Sequence, residues 1–330
     1  MNFDSFYTQM DELTASKTPY LFLIDFENKK PVIALLSDLS HSSSPIRYCF
    51  PHITNDLCFT SHNRTSRGPI KIDSTPLSLA DYSAKLSLTK QRFIELGVDV
   101  INLTTATPIE TSASLAEIYQ GARAKYKVLL KDEFVSFSPE TFVQIDNQGI
   151  ISCFPMKGTI DANLDDAIGT ILNSPKEEQE HRATVNAIQD ELATVADEIH
   201  IKRYRYIDQL TTSNKSLLQV SSEVTGVIKP MFKDSFGKLF KRLLPAGSIV
   251  GAPKEKALQI ITEVEAYTRG YYTGVCGIYD GETLDSCVLI RYIESGLEGK
   301  VYKSGGGVTL ASKPESEYNE IKDKIYVPLD

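Results

Sequence analysis

The chain lacks a CxxC pair, an excess of positive charge, an apolar run as long as a bilayer is thick, and any stretch of low complexity. Each absence removes a class of function. Five cysteines (Cys49, Cys58, Cys153, Cys276 and Cys287) without metal-ligand spacing suggest neither a zinc site nor a disulfide framework. Three of them sit inside apolar runs and read as small buried hydrophobes. A net charge of −8 argues against nucleic acid as a partner, because gripping phosphates calls for a basic face. The local basic cluster Lys238–Arg242 fits the polar side of an amphipathic helix. No run approaches the roughly 20 apolar residues of a membrane span, so no membrane partner is expected. The N-terminal "MNFDSFYTQMDEL" has neither the basic region nor the apolar core of a signal peptide, and the cytoplasm is the expected compartment.

What the chain does have is 330 residues, 42% hydrophobic and 24% charged, enough for a large core in one or two domains. No linker interrupts it, so a single domain over residues 1–330 is expected. Short β-like runs come first: "PYLFLIDFENKKPVIAL", a hairpin turning at "ENKK", then "SPIRYCF", "GPIKI" and "DVINL". A helix is predicted over 79–96, with Leu79, Leu86, Phe93, Ile94 and Leu96 on one face. Segment 113–131 reads as a helix followed by the strand "KYKVLL", and "EFVSFSPETFVQIDNQGIISCFP" as two antiparallel strands about an Asn-Gln-Gly turn. Ser174, Pro175 and Glu177 form a capping box that starts a helix reaching about His200. Strands "HIKRYRYI" and "SLLQVSSEVTGVI" follow, then a helix near 233–243. Pro253 opens another helix with Ala257, Leu258, Ile261 and Val264 inward, and three strands lead to a closing helix from about 314. Elements in blocks predict an α+β fold of antiparallel sheets, not a doubly wound one.

Several local features could carry chemistry. Glu177 and Glu180 stand at i, i+3 on one helix start; Glu317 and Glu320 do so on another, where Ser312 and Glu315 form a second possible capping box. Two such faces opposed would offer the oxygen ligands that Mg2+ takes, although first-turn acids favoured by the helix dipole look the same. "AGSIVGAPK" leads into a helix and "SGGGVT" ends a strand; free backbone N–H groups there could hold a carboxylate, or the glycines could serve turns of positive φ. The spacing of a P-loop is missing, which argues against a nucleotide. Glu140 stands in "SFSPE" just before a strand, and Arg291 interrupts "LIRYIE", where it could grip a carboxylate bidentately. Lys157 closes the apolar run "ISCFPMK" ahead of Gly158 and Thr159. It is either a strand-end lysine reaching for water or an amine held in a pocket as a nucleophile.

The order of these pieces is more telling than any one of them. "SPE", "PMKGT", "EQEH", "AGSIVGAPKEKALQIITEVE", "RGYYTGVCGIYDG", "DSCVLIRYIE", "SGGGV" and "SEYNE" succeed one another as in the chorismate-binding enzymes, which the chain resembles over about residues 85–328. Residues 1–80 carry no motif of that family and are expected to be a divergent N-terminal part of the same fold. The resemblance implies a sandwich of large antiparallel sheets with flanking helices. It implies Mg2+ held by Glu180 and Glu320, with Glu177 and Glu317 beside them. Glu140 would protonate the departing C4 hydroxyl of chorismate and Lys157 would attack C2. Gly158, Thr159, Ser248, Tyr272, Arg291, Gly305, Gly306 and Gly307 would hold the substrate's carboxylates and ring.

Within the family, lysine before Gly-Thr marks the aminodeoxychorismate synthases, where anthranilate synthases have alanine. Isochorismate and salicylate synthases carry a water-activating lysine on an earlier strand, at the position that "GVDVINLT" gives to Val100; Lys127 is the other lysine nearby. The implied reaction joins chorismate and ammonia into 4-amino-4-deoxychorismate, on the way to para-aminobenzoate and folate. The chain has no GxCxG elbow, so a separate glutamine amidotransferase subunit is the expected source of ammonia. There are departures: Asn186, Gln189 and Glu191 in "VNAIQDEL" where "VDLxRNDL" is usual, Gln219 for a histidine, Thr141 for an arginine, and "IDAN" for "RPRG". An anthranilate- or isochorismate-type synthase and a non-catalytic chorismate binder remain alternatives.

Overall fold

Tyr20–Ile24 is apolar at every position, so as a strand it has no side to offer water, and all five residues are buried. Tyr20, Phe22 and Ile24 pack into one core cluster, Leu21 and Leu23 into another. The computed structural model describes residues 3–41, 43–56, 70–211 and 216–328; Cys58 and the start of "GPIKI" lie outside them. Around this strand runs a nine-stranded sheet in the order Met156–Asp161, Ser216–Ile228, Ile150–Cys153, Thr141–Ile145, Leu284–Val288, Val275–Tyr279, Tyr20–Ile24, Val32–Leu35. Ala196–Thr211 pairs along the other edge of Ser216–Ile228.

The eight-stranded second sheet runs Gly251–Ala252, Val100–Glu110, Gly299–Val308, Tyr292–Gly296, Phe134–Ser138, Tyr126–Leu130, Ile46–Cys49, with Asp73–Ser74 on the end of Val100–Glu110. Leu21, Leu23, Cys276 and Cys287 from the first sheet meet Tyr126, Val128, Phe134 and Tyr292 from the second in one core cluster, so the sheets face each other. Pairing is antiparallel throughout the described ladders, as the block order of elements predicts. The expected α+β sandwich is the fold observed.

Two neighbouring runs change sheets. Phe134–Ser138 lies in the second sheet, but Thr141–Ile145 belongs to the first; the reverse crossing joins Leu284–Val288 to Tyr292–Gly296. The sequence pattern had merged the first crossing into a single strand. Within 133–155 the hairpin is the turn after Ile145, closed by Asp146–Gly149 with Gly149 at φ 82.

Helices cover the outer faces. Leu79–Leu96 forms over the predicted span, capped by Ser78 and by Gly97 at φ 64. Its buried stripe is Tyr82, Leu86, Thr89 and Phe93, because the helix leans on Lys254–Val264 and Pro314–Asp323. Leu79 (38% exposed) and Ile94 (74%) face out, against expectation. The helix from Pro175 stops at Leu192, not near His200, because Ala196 onward pairs with Ser216–Ile228. Ser174 accepts from the Glu177 N–H as a cap should. The last helix starts at Pro314 with Lys313 at the cap position, and Ser312 instead accepts from the Thr309 N–H. On the helix after Pro253 the buried face is Ala257, Ile260, Ile261 and Val264, with Leu258 only part-buried.

The N-terminal hairpin is tied to distant chain. Glu27 accepts from the Arg269 and Gly270 N–H groups (2.8 and 2.9 Å), while Asp25 accepts from Lys29 and Lys30 to shape the turn. The stripe on Leu79–Leu96 makes a clear prediction. Leu86→Ala should lower urea-unfolding stability by about 2–5 kcal/mol, and Ile94→Ala by no more than about 0.5 kcal/mol.

Candidate active site

Glu140 stands at the first crossing between sheets. Its carbonyl accepts from Val288 (3.2 Å) and its N–H donates to the Ser138 hydroxyl (3.1 Å), so its backbone is fixed at the seam. Ser248 donates to Glu140 Oε1 at 2.9 Å. Burial pushes the Glu140 carboxyl above the ordinary carboxylate range, against the pull of the Ser248 hydrogen bond and of nearby Lys324 and Arg291.

Ser248 rides on the short 3-10 turn Gly247–Ile249, and two ion pairs hold that turn. Arg269, 1% exposed, binds both oxygens of buried Glu265 (2.6 and 2.8 Å) and donates to Ile249 O and Asn102 O (2.8 and 2.7 Å). Glu265 also accepts from the Thr104 N–H at 2.8 Å, so one pair clasps the Ser248 turn and the strand Val100–Glu110. On the other side Glu191 accepts from Lys254 Nζ at 2.8 Å and lies against Gly247.

Lys157 sits on Met156–Asp161, an edge strand whose partner is Ser216–Ile228. The register runs from Met156 opposite Ser221 to Thr159 opposite Gln219, leaving one extra residue on the lysine's side. Gly158 takes φ 94 there, which favours glycine, and its open face meets a Glu177 carboxylate oxygen. The bulge turns Lys157 Nζ to within 3.9 Å of Glu180 Oε2, both side chains 42% exposed and so open to a ligand. Lys157 Nζ and Val100 Cγ2 approach Gly307 from the same side, about 3.9 and 4.0 Å from where its Cβ would lie. Val100 therefore lies on the same side of Gly307 as Lys157. Lys127 does not: it is 1% exposed, and its amine donates to Tyr119 O at 3.0 Å within the opposite sheet's core.

The triple glycine lies within the strand Gly299–Val308, and none of the three has positive φ. Space, not a turn, requires the first: a Cβ on Gly305 would come within 2.6 Å of Thr104 Cγ2. One edge of Gly305–Gly307 pairs with Asn102–Thr104, while the neighbouring strand Tyr292–Gly296 pairs only as far as Lys303. The free edge takes Lys324, whose amine donates to Gly305 O (2.8 Å) and to Glu320 Oε1 (2.7 Å). Glu320 rests against Gly306. Lys324 was not singled out in the sequence; its place at i+4 from Glu320 on the same helix was the available signal. Burial raises the phenol of Tyr82, and the charges of Glu317 and Glu320 on that helix add to the rise. Arg291, at the second crossing with φ 51, stacks 5.1 Å over Tyr326 and leaves its buried Nε without a hydrogen-bond partner. Tyr272 is 3% exposed, and burial pushes its hydroxyl up.

Lys157 thus meets Glu180 and Gly307, Glu177 meets Gly158, Glu320 meets Gly306, and Ser248 meets Glu140. Two carboxylates are what Mg2+ takes from protein when water and substrate complete its shell, so the donor chemistry of Glu180 and Glu320 fits that ion. Among the described residues no three His, Cys, Asp or Glu side chains gather closely enough to hold a metal by themselves. Three of the departures have local explanations: Thr141 takes a hydrogen bond from Lys125 at 2.8 Å, so a cation still stands beside it; Glu191 clamps the Ser248 turn; and "IDAN" carries the strand Met156–Asp161 into a turn in which Asp161 accepts from the Asn163 N–H. Asn186 is exposed, and nothing in the structure explains Gln189.

No described helix is long and apolar enough to cross a membrane. The family described as chorismate binding enzyme matches residues 17–330. An uncharacterized PabA-like protein of Pasteurella multocida is 38% identical over 329 residues, covering 100% of each chain. Anthranilate synthase component 1 of Saccharomyces cerevisiae is 28% identical over 313 residues, 88% of this chain and 57% of that protein. The menaquinone-specific isochorismate synthase of Escherichia coli shares the fold with a TM-score of 0.71 at 16% identity, covering 97% of this chain and 80% of that one. For the ion pair behind Ser248, Arg269→Met should cost about 3–5 kcal/mol in urea unfolding by stranding Glu265, and Arg269→Met with Glu265→Met together should cost less than the single change.

Proposed function

The chain belongs to the family of chorismate-binding enzymes, and from that premise we propose that it converts chorismate and ammonia to 4-amino-4-deoxychorismate. The observation that carries the reading is that the Lys157 amine and the apolar Val100 side chain lie on the same side of Gly307, with Lys157 near Glu180. A hydrating enzyme needs a base for water at the Val100 position, and valine cannot serve.

Glu140 donates a proton to the C4 hydroxyl, which leaves as water. The Lys157 amine adds at C2, losing a proton, while the two ring double bonds shift toward C4. Ammonia then adds at C4, the double bonds shift back, and the C2–N bond breaks to return the lysine. The net change replaces one hydroxyl by an amino group and releases one water. The free edge of Gly305–Gly307 and the orphaned Nε of Arg291 support carboxylate binding beside the ring. Mg2+, held by Glu180 and Glu320 with Glu177 and Glu317 nearby, would neutralise charge on the ring carboxylate. Ammonia would come from a separate glutamine amidotransferase subunit, and the reaction would belong to para-aminobenzoate and folate synthesis in the cytoplasm.

Product analysis with chorismate, Mg2+ and ammonium should give 4-amino-4-deoxychorismate; anthranilate or isochorismate in its place would overturn the proposal. Lys157→Ala should nearly abolish turnover at limiting ammonium, with part of the rate restored at high ammonium. An adduct of chorismate-derived mass on Lys157, trapped without ammonia, is the direct check. The acid role has its own signature. Because burial raises the Glu140 pKa, its proton is present at low pH and activity should fall as pH rises through that value. Glu140→Gln should lower kcat by about 10²–10⁴ and remove that alkaline limb.

A further inference from the structure

Lys157 owes its direction to an irregular piece of edge strand, and we infer that Gln219 is the positioning residue that sets it; the inference rests on Lys157 being the attacking amine. Lys157 and Gly158 form the bulge between the paired positions Met156–Ser221 and Thr159–Gln219. The bulge has a strand on one side only, since Met156–Asp161 ends the sheet. A bulge at a sheet edge re-aims a side chain but leaves its own backbone groups outside the ladder. Here the carboxamide of Gln219 takes up one of them, the Gly158 carbonyl, and also holds the side chain of the next residue. Gln219 Nε2 donates to Gly158 O at 2.9 Å, and Gln219 Oε1 accepts from the Thr159 hydroxyl at 2.8 Å.

Gln219 pins the Gly158 carbonyl, and the positive φ there, with a Glu177 carboxylate oxygen 2.9 Å from where a Cβ would stand, favours glycine. With φ fixed at 94 by this grip, the preceding residue projects toward Glu180 and Gly307. Both ends of the carboxamide are used in that grip, so a side chain that keeps one end only should hold the bulge less firmly. A carboxamide is also uncharged at every pH, so the aim of the lysine does not change with the protonation of its holder.

Gln219→Met fills similar space without either hydrogen bond, and Gln219→Glu keeps the acceptor for Thr159 but loses the donor to Gly158. We expect kcat to fall about 10- to 100-fold in Gln219→Met, with KM for chorismate nearly unchanged and Gln219→Glu between it and the parent. An independent readout is the rate of reductive methylation of each lysine by formaldehyde and cyanoborohydride, mapped by peptide mass. Lys157 should change several-fold in Gln219→Met while Lys125 and Lys254 do not. Parental kcat together with a parental Lys157 methylation rate would overturn the proposal, and so would a lowered Tm with both unchanged. If Lys157→Ala proves fully active, the nucleophile reading fails on its own, and the methylation pattern still decides whether Gln219 directs the amine.

Discussion

Two adjacent runs of chain leave one sheet for the other at the same level, and the candidate site is built on that seam. Thr141–Ile145 pairs with Leu284–Val288 in the first sheet, and Phe134–Ser138 pairs with Tyr292–Gly296 in the second. Neither run could cross alone without orphaning its neighbour's backbone groups in the interior. The crossing is stitched by Val288 N–H to Glu140 O, Phe137 N–H to Arg291 O and the Ser136 hydroxyl to Ile290 O. An acid and a guanidinium are thereby fixed at neighbouring points where the chain is locked by backbone, not by side-chain packing. The raised proton affinity of Glu140 follows from its place in the seam, because that is where burial is imposed.

The loops around the seam carry the remaining groups, and buried charge holds them. Glu265 with Arg269 lies wholly inside, and such a pair adds less to stability than its contacts suggest once desolvation is counted. Its evident work is geometric: it joins Asn102, Thr104 and Ile249, which back the triple glycine and Ser248. Lys254 and Glu191 do the same from the solvent side with a partly exposed pair. Glu191 departs from the family's aspartate by one methylene, and its longer reach is used in meeting both Lys254 and the Gly247 turn.

Much of the fold was legible because side-chain period reports which face is buried. The strand Ser216–Ile228 and the helix Leu79–Leu96 have the bounds that their patterns predict. What failed was reading the partner of a face. Ile94 was assigned inward by spacing, but the neighbouring helices take the Tyr82–Phe93 stripe instead. The helix to His200 failed because Leu192, Val195 and Ile199 continue a helical spacing, while the facing strand claims Ala196 onward. The seam at Pro139–Glu140 was invisible, since a strand that changes sheets keeps the same alternation. At the candidate site, motif order singled out Lys157, Glu140 and the acid pairs, and marked Gln219 only as a departure from histidine. Lys324 was not singled out; it and Gln219 each bond a backbone carbonyl whose position only the folded chain defines.

The strand Tyr20–Ile24 draws one more consequence, this time for how the protein is made. Its partner on one side is its own hairpin mate; on the other it is Val275–Tyr279, with Tyr20 opposite Tyr279. As the chain emerges from the ribosome, one edge of a wholly apolar strand must wait for most of the sequence to be synthesised. Glu27 likewise finds its amides only when Arg269 and Gly270 arrive. The first sheet is therefore a structure that closes late, and the nascent chain presents an unpaired sticky edge until Val275–Tyr279 is made.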